Sequence, residues 1–329
     1  MTRQAGRLRI GTRKSAMALA QTEEIARRLK AVVPDVKVEI VKFDTTGDID
    51  QTGKLLPHGG KGGAFVAQIR DAVRVGQLHA AMHSLKDMPG NEDTPGLVIG
   101  ATLSRDPPGD VLVLRSGVLL DDVRRARGKG YKIGTNAVRR AAYCRRAFPA
   151  AEVIHFRGAA DTRVRKLDAG EKQRLPDGGA VGPADALIMA RSGLARVGLS
   201  HRIAYEFSTA DMLPAVGQGI VAVECAARDW QTRRLLSAID DADAHACAEA
   251  EREVLWVLNG HCNSPIAGFA TIAGAQMSLS AAVLDLSGDL IIEAQRSGPA
   301  DRPRELGRAV ALDLLAKGAA AIIERSRPS

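Results

Sequence analysis

Residues 83–89 read HSLKDMP and follow the apolar run LHAAM, which sets a lysine beside an aspartate at the end of an apparent buried strand. An exposed Lys–Asp pair contributes almost nothing to stability, so the two charges invite a chemical reading. A fixed carboxylate at Asp87 can stabilise developing positive charge and assist proton transfer. Lys86 would help keep it ionised and offers a cation to a carboxylate ligand. The plainer alternative is a helix-capping aspartate beside a solvated lysine, and His83 reads as a hydrogen-bonded strand-end residue. A second candidate is Cys262 in GHCNSPIAG (260–268), a loop thiol flanked by Gly260, an Asn-Ser pair and Pro265. It reads as a nucleophile or an attachment point, with an inert loop cysteine as the alternative. His261 is adjacent in the chain, but no Cys–His pair has hydrolase-like spacing. A third group is the arginines near Gly-rich turns, Arg13, Arg139, Arg140, Arg157 and Arg163. Their forked donors suit carboxylates and phosphates.

These residues need elements to hold them. RLRIGT (7–12) reads as a strand and SAMALAQTEEIARRLKAVV (15–33) as a helix with Ser15 at its N-cap. KVEIVKF (37–43) is a strand by alternation, AFVAQIRDAVRVG (64–76) an amphipathic helix, and HAAMH and LVIGATL (97–103) are further strands. Strands alternating with helices predict an α/β domain with a largely parallel sheet. SRDPPGD (104–110) reads as a hinge, after which the pattern restarts. YKIGT, NAVRRAAYCRRAF, EVIHFRG, ADTRVRKLDAG and ADALIMA alternate as strand and helix, and the polar loop EKQRLPDGGAVGP (171–183) is expected to be mobile. Ile10-Gly11-Thr12 and Ile133-Gly134-Thr135 each end a strand and open a helix, where free N–H groups favour anions. Two such ends facing one another describe a cleft. PAVGQGIVAVEC and RDWQTRRLLSAI add a strand and a helix. The tail, from residue 241, reads as a helix, a hairpin of MSLSAAVLDL with LIIEAQRSG, and a final helix.

Composition narrows the classes. The 329 residues suffice for two or three domains, and 45% apolar with 26% charged residues suits a soluble globular chain. A net charge of +8 raises nucleic acid as a partner, but aromatics at 3% leave no stacking platform and no basic block is interleaved with them. A small polyanionic ligand fits better. Cys144, Cys225, Cys247 and Cys262 form no CxxC pair, which argues against zinc and against a disulfide framework. The first residues lack an apolar signal-peptide core and no run reaches membrane-spanning length, so a cytoplasmic protein without membrane contact is expected.

IGTRKSAMALAQ, TTGD, HSLKDMP, GTNAVRR, RGAADTRVRKLDAG, LPAVGQG with VEC, and GHCNSPIAG occur in the order and spacing of the porphobilinogen deaminase (hydroxymethylbilane synthase) family. The resemblance runs from about residue 7 to the C-terminus. It implies two periplasmic-binding-protein-like (type II) α/β domains around a cleft plus a small C-terminal α+β domain. Their expected extents are 1–104 completed by about 218–238, 107–214, and 241–329. It also implies a dipyrromethane cofactor, made from substrate and held by a thioether to Cys262. The family's transferase adds four porphobilinogen units head to tail, releasing ammonia each time, and hydrolysis frees hydroxymethylbilane. Asp87 matches the family's catalytic aspartate, which faces pyrrole nitrogens. Lys86, Asp87, Thr135, Arg139, Arg140, Arg157 and Gly158 match cofactor-binding positions, while Arg13, Ser15, Lys61, Ser84, Arg163 and Arg202 match substrate-binding ones. Gln218 and Gly219 fall at the interdomain crossover. No metal is implied, and the family default is a monomer.

The chain departs from the pattern in places. In GGKGGAF (59–65), Phe65 comes one place later than the family spacing, so Gly62 stands where its lysine is expected. Asn136 and Ala137 replace a serine pair, Ala159 replaces an asparagine, and Asp161 adds negative charge. Asp87, Cys262 and most arginines are intact, which implies an active deaminase. Two alternatives stay open here, a paralogue acting on a modified pyrrole and a non-catalytic small-anion binding protein on the same scaffold.

Overall fold

Alternating strands and helices assemble into two separate five-stranded sheets in the computed structural model, which describes residues 7–43, 64–175, 178–260 and 264–327. The first lobe begins β1 (Arg7–Arg13), α1 (Ala16–Val32), β2 (Lys37–Phe43), α2 (Ala64–Arg74), β3 (Ala80–Ser84) and β4 (Leu97–Thr102). The chain then crosses into the second lobe. There it forms β5 (Asp110–Leu114), α3 (Leu120–Arg125), β6 (Lys132–Gly134), α4 (Val138–Ala147), β7 (Glu152–Ile154) and α5 (Ala160–Asp168). A small hairpin follows, β8 (Gln173–Arg174) with β9 (Ala180–Val181), then β10 (Ala186–Ala190), α6 (Arg191–Ala195) and β11 (Ile203–Glu206). A second crossing returns to the first lobe for β12 (Val221–Ala226) and α7 (Trp230–Ser237). The last part is α8 (Ala242–Leu258), β13 (Ile266–Ala273), β14 (Gln276–Leu284), β15 (Ile291–Pro299), α9 (Pro303–Ala316) and α10 (Ala319–Arg325).

Sheet order is β2-β1-β3-β12-β4 in the first lobe and β11-β5-β10-β6-β7 in the second. β1 pairs in parallel with β2 and β3, while the returning β12 runs antiparallel between β3 and β4. In the second lobe β6 is parallel to β7 and β10, and β5 is antiparallel to β10. Two lobes of this order, joined by two crossings, are periplasmic-binding-protein-like type II α/β units. The third part is a three-stranded antiparallel sheet, β13-β14-β15, carrying α8, α9 and α10.

Local chemistry explains most element ends. Ser15 caps α1 by accepting the Ala18 amide at 3.3 Å, as its sequence position predicts. β3 is buried on both faces from Ala80 to His83, which is why it reads as an apolar run without alternation. PAVGQGIVAVEC yields a strand only from Val221, because Gly217 and Gly219 take left-handed backbone angles and form a turn. A side chain at Gly219 would also place its Cβ 2.3 Å from the Asp106 carbonyl oxygen, so the two crossings touch there. The single C-terminal helix expected from sequence breaks at Gly318, whose φ is +95°. The 171–183 stretch is paired where described, with Gln173 opposite Val181 and Arg174 opposite Ala180. β5, β11 and β13 were not legible as strands from the sequence.

Candidate functional site

Ser84 ends β3, and one 3-10 turn, Leu85–Asp87, follows it. Leu85 is buried and donates its amide to Ile220 O at 3.0 Å, which ties the turn to the second crossing. With Leu85 turned inward, Lys86 is half-buried and Asp87 is exposed. Ser84 Oγ exchanges hydrogen bonds with the Gln21 amide at 3.1 and 3.2 Å. Arg13 at the end of β1, Ser15, Gln21, Ser84 and Asp87 line one cavity of the first lobe.

The second lobe supplies cations from the start of α4. Gly134 leads into Thr135, whose amide donates to Ile154 O and whose hydroxyl accepts the Ala137 amide at 3.2 Å. That hydroxyl serves the helix start that Ala137 cannot cap with a side chain. One turn on, Arg139 and Arg140 are both buried and both paired with Asp110, at 2.7 and 2.8 Å. Burial opposes ionisation of Asp110, but the two guanidiniums outweigh it and hold the carboxyl below its usual range. Arg139 also donates to Leu213 O at 2.7 Å, so much of its fork is engaged inside the protein.

Gln218 joins the lobes. Its Oε1 accepts from Arg140 at 3.0 Å and from Lys86 Nζ at 3.4 Å, while its Nε2 donates to Asp110 at 3.0 Å and to Pro108 O at 2.5 Å. Lys86 therefore lies at the same point as the second-lobe arginines. Burial first, then Arg140, push its ammonium down to about 7, with Asp87 and Asp110 opposing. Burial and Arg140 likewise push Arg163 on α5 down to about 10 against the pull of Asp87. The buried Nε of Arg163 has no hydrogen-bond partner among the described residues.

Other sequence candidates lie nearby or elsewhere. The Arg157 amide bonds the Gln173 side chain at 3.4 Å, and Gly158 follows with φ of +129°. The structure does not bring Arg202 into this group. It forms a two-pronged bridge to Asp168, both contacts 2.7 Å, and donates to Leu114 O at the opposite end of β5 from Asp110. A substrate-binding part for Arg202 therefore rests on the family match alone. Cys262 and Lys61, with Gly62, lie outside the described residues. The strand after Cys262 is described, and Gly268 N donates to Pro214 O at 2.9 Å, which pins that strand to the second crossing.

Sequence reasoning missed Asp110, whose partners stand about thirty residues downstream with no local signal. It also missed Arg196, which pairs with Asp106 at 2.6 Å, donates to Gly219 O at 3.0 Å and senses Asp87. Among the described residues no cluster of His, Cys, Asp and Glu could hold a metal, and no helix is long and apolar enough to cross a membrane.

Buried or half-buried cations that lack a full complement of carboxylates, Lys86, Arg140 and Arg163, fit an acid-bearing group. The fold and this wall define a class: two-lobed α/β proteins that hold an anionic ligand in the cleft, here with a third domain appended. Two family models match the chain, the porphobilinogen deaminase dipyrromethane cofactor binding domain over residues 8–234 and the porphobilinogen deaminase C-terminal domain over 245–316. The chain belongs to the porphobilinogen deaminase family. It is 37% identical over 317 residues to the porphobilinogen deaminase of Syntrophobacter fumaroxidans, covering 96% of this chain and 97% of that protein. It is 39% identical over 319 residues to porphobilinogen deaminase 2 of Streptomyces coelicolor, covering 96% of each. Among solved structures it is similar to the putative periplasmic sulfonate-binding protein SsuA of Methylobacillus flagellatus, with 14% identity and a TM-score of 0.40 over 78% of this chain and 70% of that one.

Proposed function

We propose that this chain is a hydroxymethylbilane synthase, a transferase that condenses four porphobilinogen molecules head to tail with loss of ammonia and releases hydroxymethylbilane for tetrapyrrole synthesis. The observation that carries the reading is the meeting of Lys86 and Asp87 from one lobe with Arg140 and Arg163 from the other. Porphobilinogen and its oligomers carry an acetate and a propionate on every pyrrole, so they are polyanions that such a wall holds. When bound through Cys262, the dipyrromethane supplies the free pyrrole α-carbon that begins the chain. Asp87 holds pyrrole N–H groups, stabilises positive charge that develops as ammonia departs, and shuttles the proton. Lys86, Arg140, Arg157 and Thr135 bind carboxylates on the cofactor side, and Arg163 binds those of the substrate chain. Arg13, Ser15 and Ser84 line the first-lobe cavity beside Asp87 and receive the incoming pyrrole. Arg139 acts chiefly by setting Asp110, and through it Arg140.

The scarcity of aromatic side chains supports a small-molecule partner over nucleic acid, and the reading includes a cytoplasmic monomer without membrane contact. Intact mass measurement of the purified chain tests the assignment. The expected result is an increment equal to two porphobilinogen-derived units, lost in Cys262→Ser. An unmodified mass from cells that make porphobilinogen would count against it.

A further inference from the structure

At the far end of α4 from the cleft, a second cavity of about 480 Å³ lies between the second lobe and the C-terminal domain. That size suits a small organic molecule. The chain has only two Trp, three Tyr and six Phe residues, yet Tyr143, Phe148, Tyr205 and Phe207 all line this space. Tyr205 and Phe207 meet edge to face at 5.1 Å, and Phe148 meets Phe207 at 6.5 Å. Phe148 and Phe207 are buried, and half-buried Tyr205 is the ring of the three left accessible. The Arg124 guanidinium lies 4.2 Å from the Tyr205 ring centre and has no carboxylate partner among the described residues. It stacks over that ring as a cation–π contact while the residue stays exposed.

Two acids also face the cavity, and they differ. Asp211 is engaged in its own turn, accepting the Ser208 hydroxyl at 2.6 Å. Glu293 on β15 is exposed on the side of the C-terminal domain, where its carboxylate can accept an N–H. We propose that this cavity is a second ligand site, one that takes a flat heteroaromatic carboxylate: ring beside Tyr205, carboxylate on Arg124, and ring N–H toward Glu293. An occupant rests on α4, the same ten-residue helix whose first turn carries Arg139 and Arg140. It also touches β15, so it bridges two domains.

Calorimetric titration of the full-length protein with indole-3-acetate, which has one ring N–H and one carboxylate, tests the site. One equivalent is expected to bind, and 3-methylindole, which lacks the carboxylate, should bind at least about tenfold more weakly. Arg124→Glu, at an exposed position, and Tyr205→Leu should each weaken indole-3-acetate by at least about tenfold, while Arg13→Ala leaves it unchanged. No saturable binding to the unaltered protein would overturn the proposal. So would binding that Arg13→Ala weakens and Arg124→Glu does not, since that would place the probe in the cleft. The measurement needs no turnover, so the proposal stands or falls separately from the deaminase reading.

Discussion

Burial and the Arg140 guanidinium leave the Lys86 ammonium with a pKa of about 7 in the folded chain, well below the ordinary lysine range. In the unfolded chain Lys86 returns to that range, so between the two values the unfolded state holds a proton that the folded state lacks. Stability therefore rises as pH increases from about 7, and the full cost of burying the charge is present below that value. The slope is at most about 1.4 kcal/mol per pH unit for one proton, and less here because Lys86 keeps some contact with water. A chain without an attached anion, Cys262→Ser, should show this gain between pH 7 and pH 9 in urea unfolding. Adding Lys86→Met should flatten the difference, and equal slopes with and without Lys86 would contradict the assignment. In the complete protein, carboxylates beside Lys86 would keep it charged, which is the role its place in the wall supports.

One carboxylate gathers the elements that join the three domains. Glu251 of α8 is fully buried and accepts the Gly217 amide at 2.7 Å, the Ala270 amide at 2.8 Å and the Arg105 guanidinium at 2.5 Å. Gly217 belongs to the second crossing, Ala270 to β13, and Arg105 to the first crossing, where it also holds Gln218 O at 2.9 Å. Removing one partner of a buried pair strands the others, so Glu251→Ala should cost about 3–5 kcal/mol in urea unfolding. A loss under about 1 kcal/mol would show that water replaces the carboxylate at little cost. None of this was legible in sequence. The succession of strand and helix around α1, β3 and α4, the Ser15 cap and the break at 104–110 could be read because their signals are local. Asp110, Glu251 and Arg196 gave no such signal, since each takes its meaning from partners far along the chain. β5 was missed because DVLVL follows directly on a proline-rich turn that dominated the reading. The candidate site was legible through family motifs more than through pattern, and no motif signals the Asp168 partner of Arg202, which only the fold reveals.

Across the whole molecule, the cleft is a gathering of like charges. Burial first, then Arg140, lowers the pKa of both Lys86 and Arg163, with Asp87 opposing at each and Asp110 opposing at Lys86. The chain as a whole carries a net charge of +8, which adds to the field. A covalently attached polyanion would relieve this, so the attached group would serve as a counter-ion for the folded state as well as a primer. Any species that binds only the folded form stabilises it, and here the attachment makes its effective concentration high. Cys262→Ser should therefore melt several degrees below the unaltered protein at low ionic strength. Raising sodium sulfate to about 0.2 M should close much of that gap, partly by screening exposed charge within about a Debye length and partly by sulfate occupying the arginine wall. The same sulfate should change the unaltered protein far less, because its cations are already matched. Scanning calorimetry of the two chains with and without sulfate decides the matter. If they melt together at low salt, or respond equally to sulfate, the cleft cations are balanced within the protein and the attached group has no part in holding the lobes.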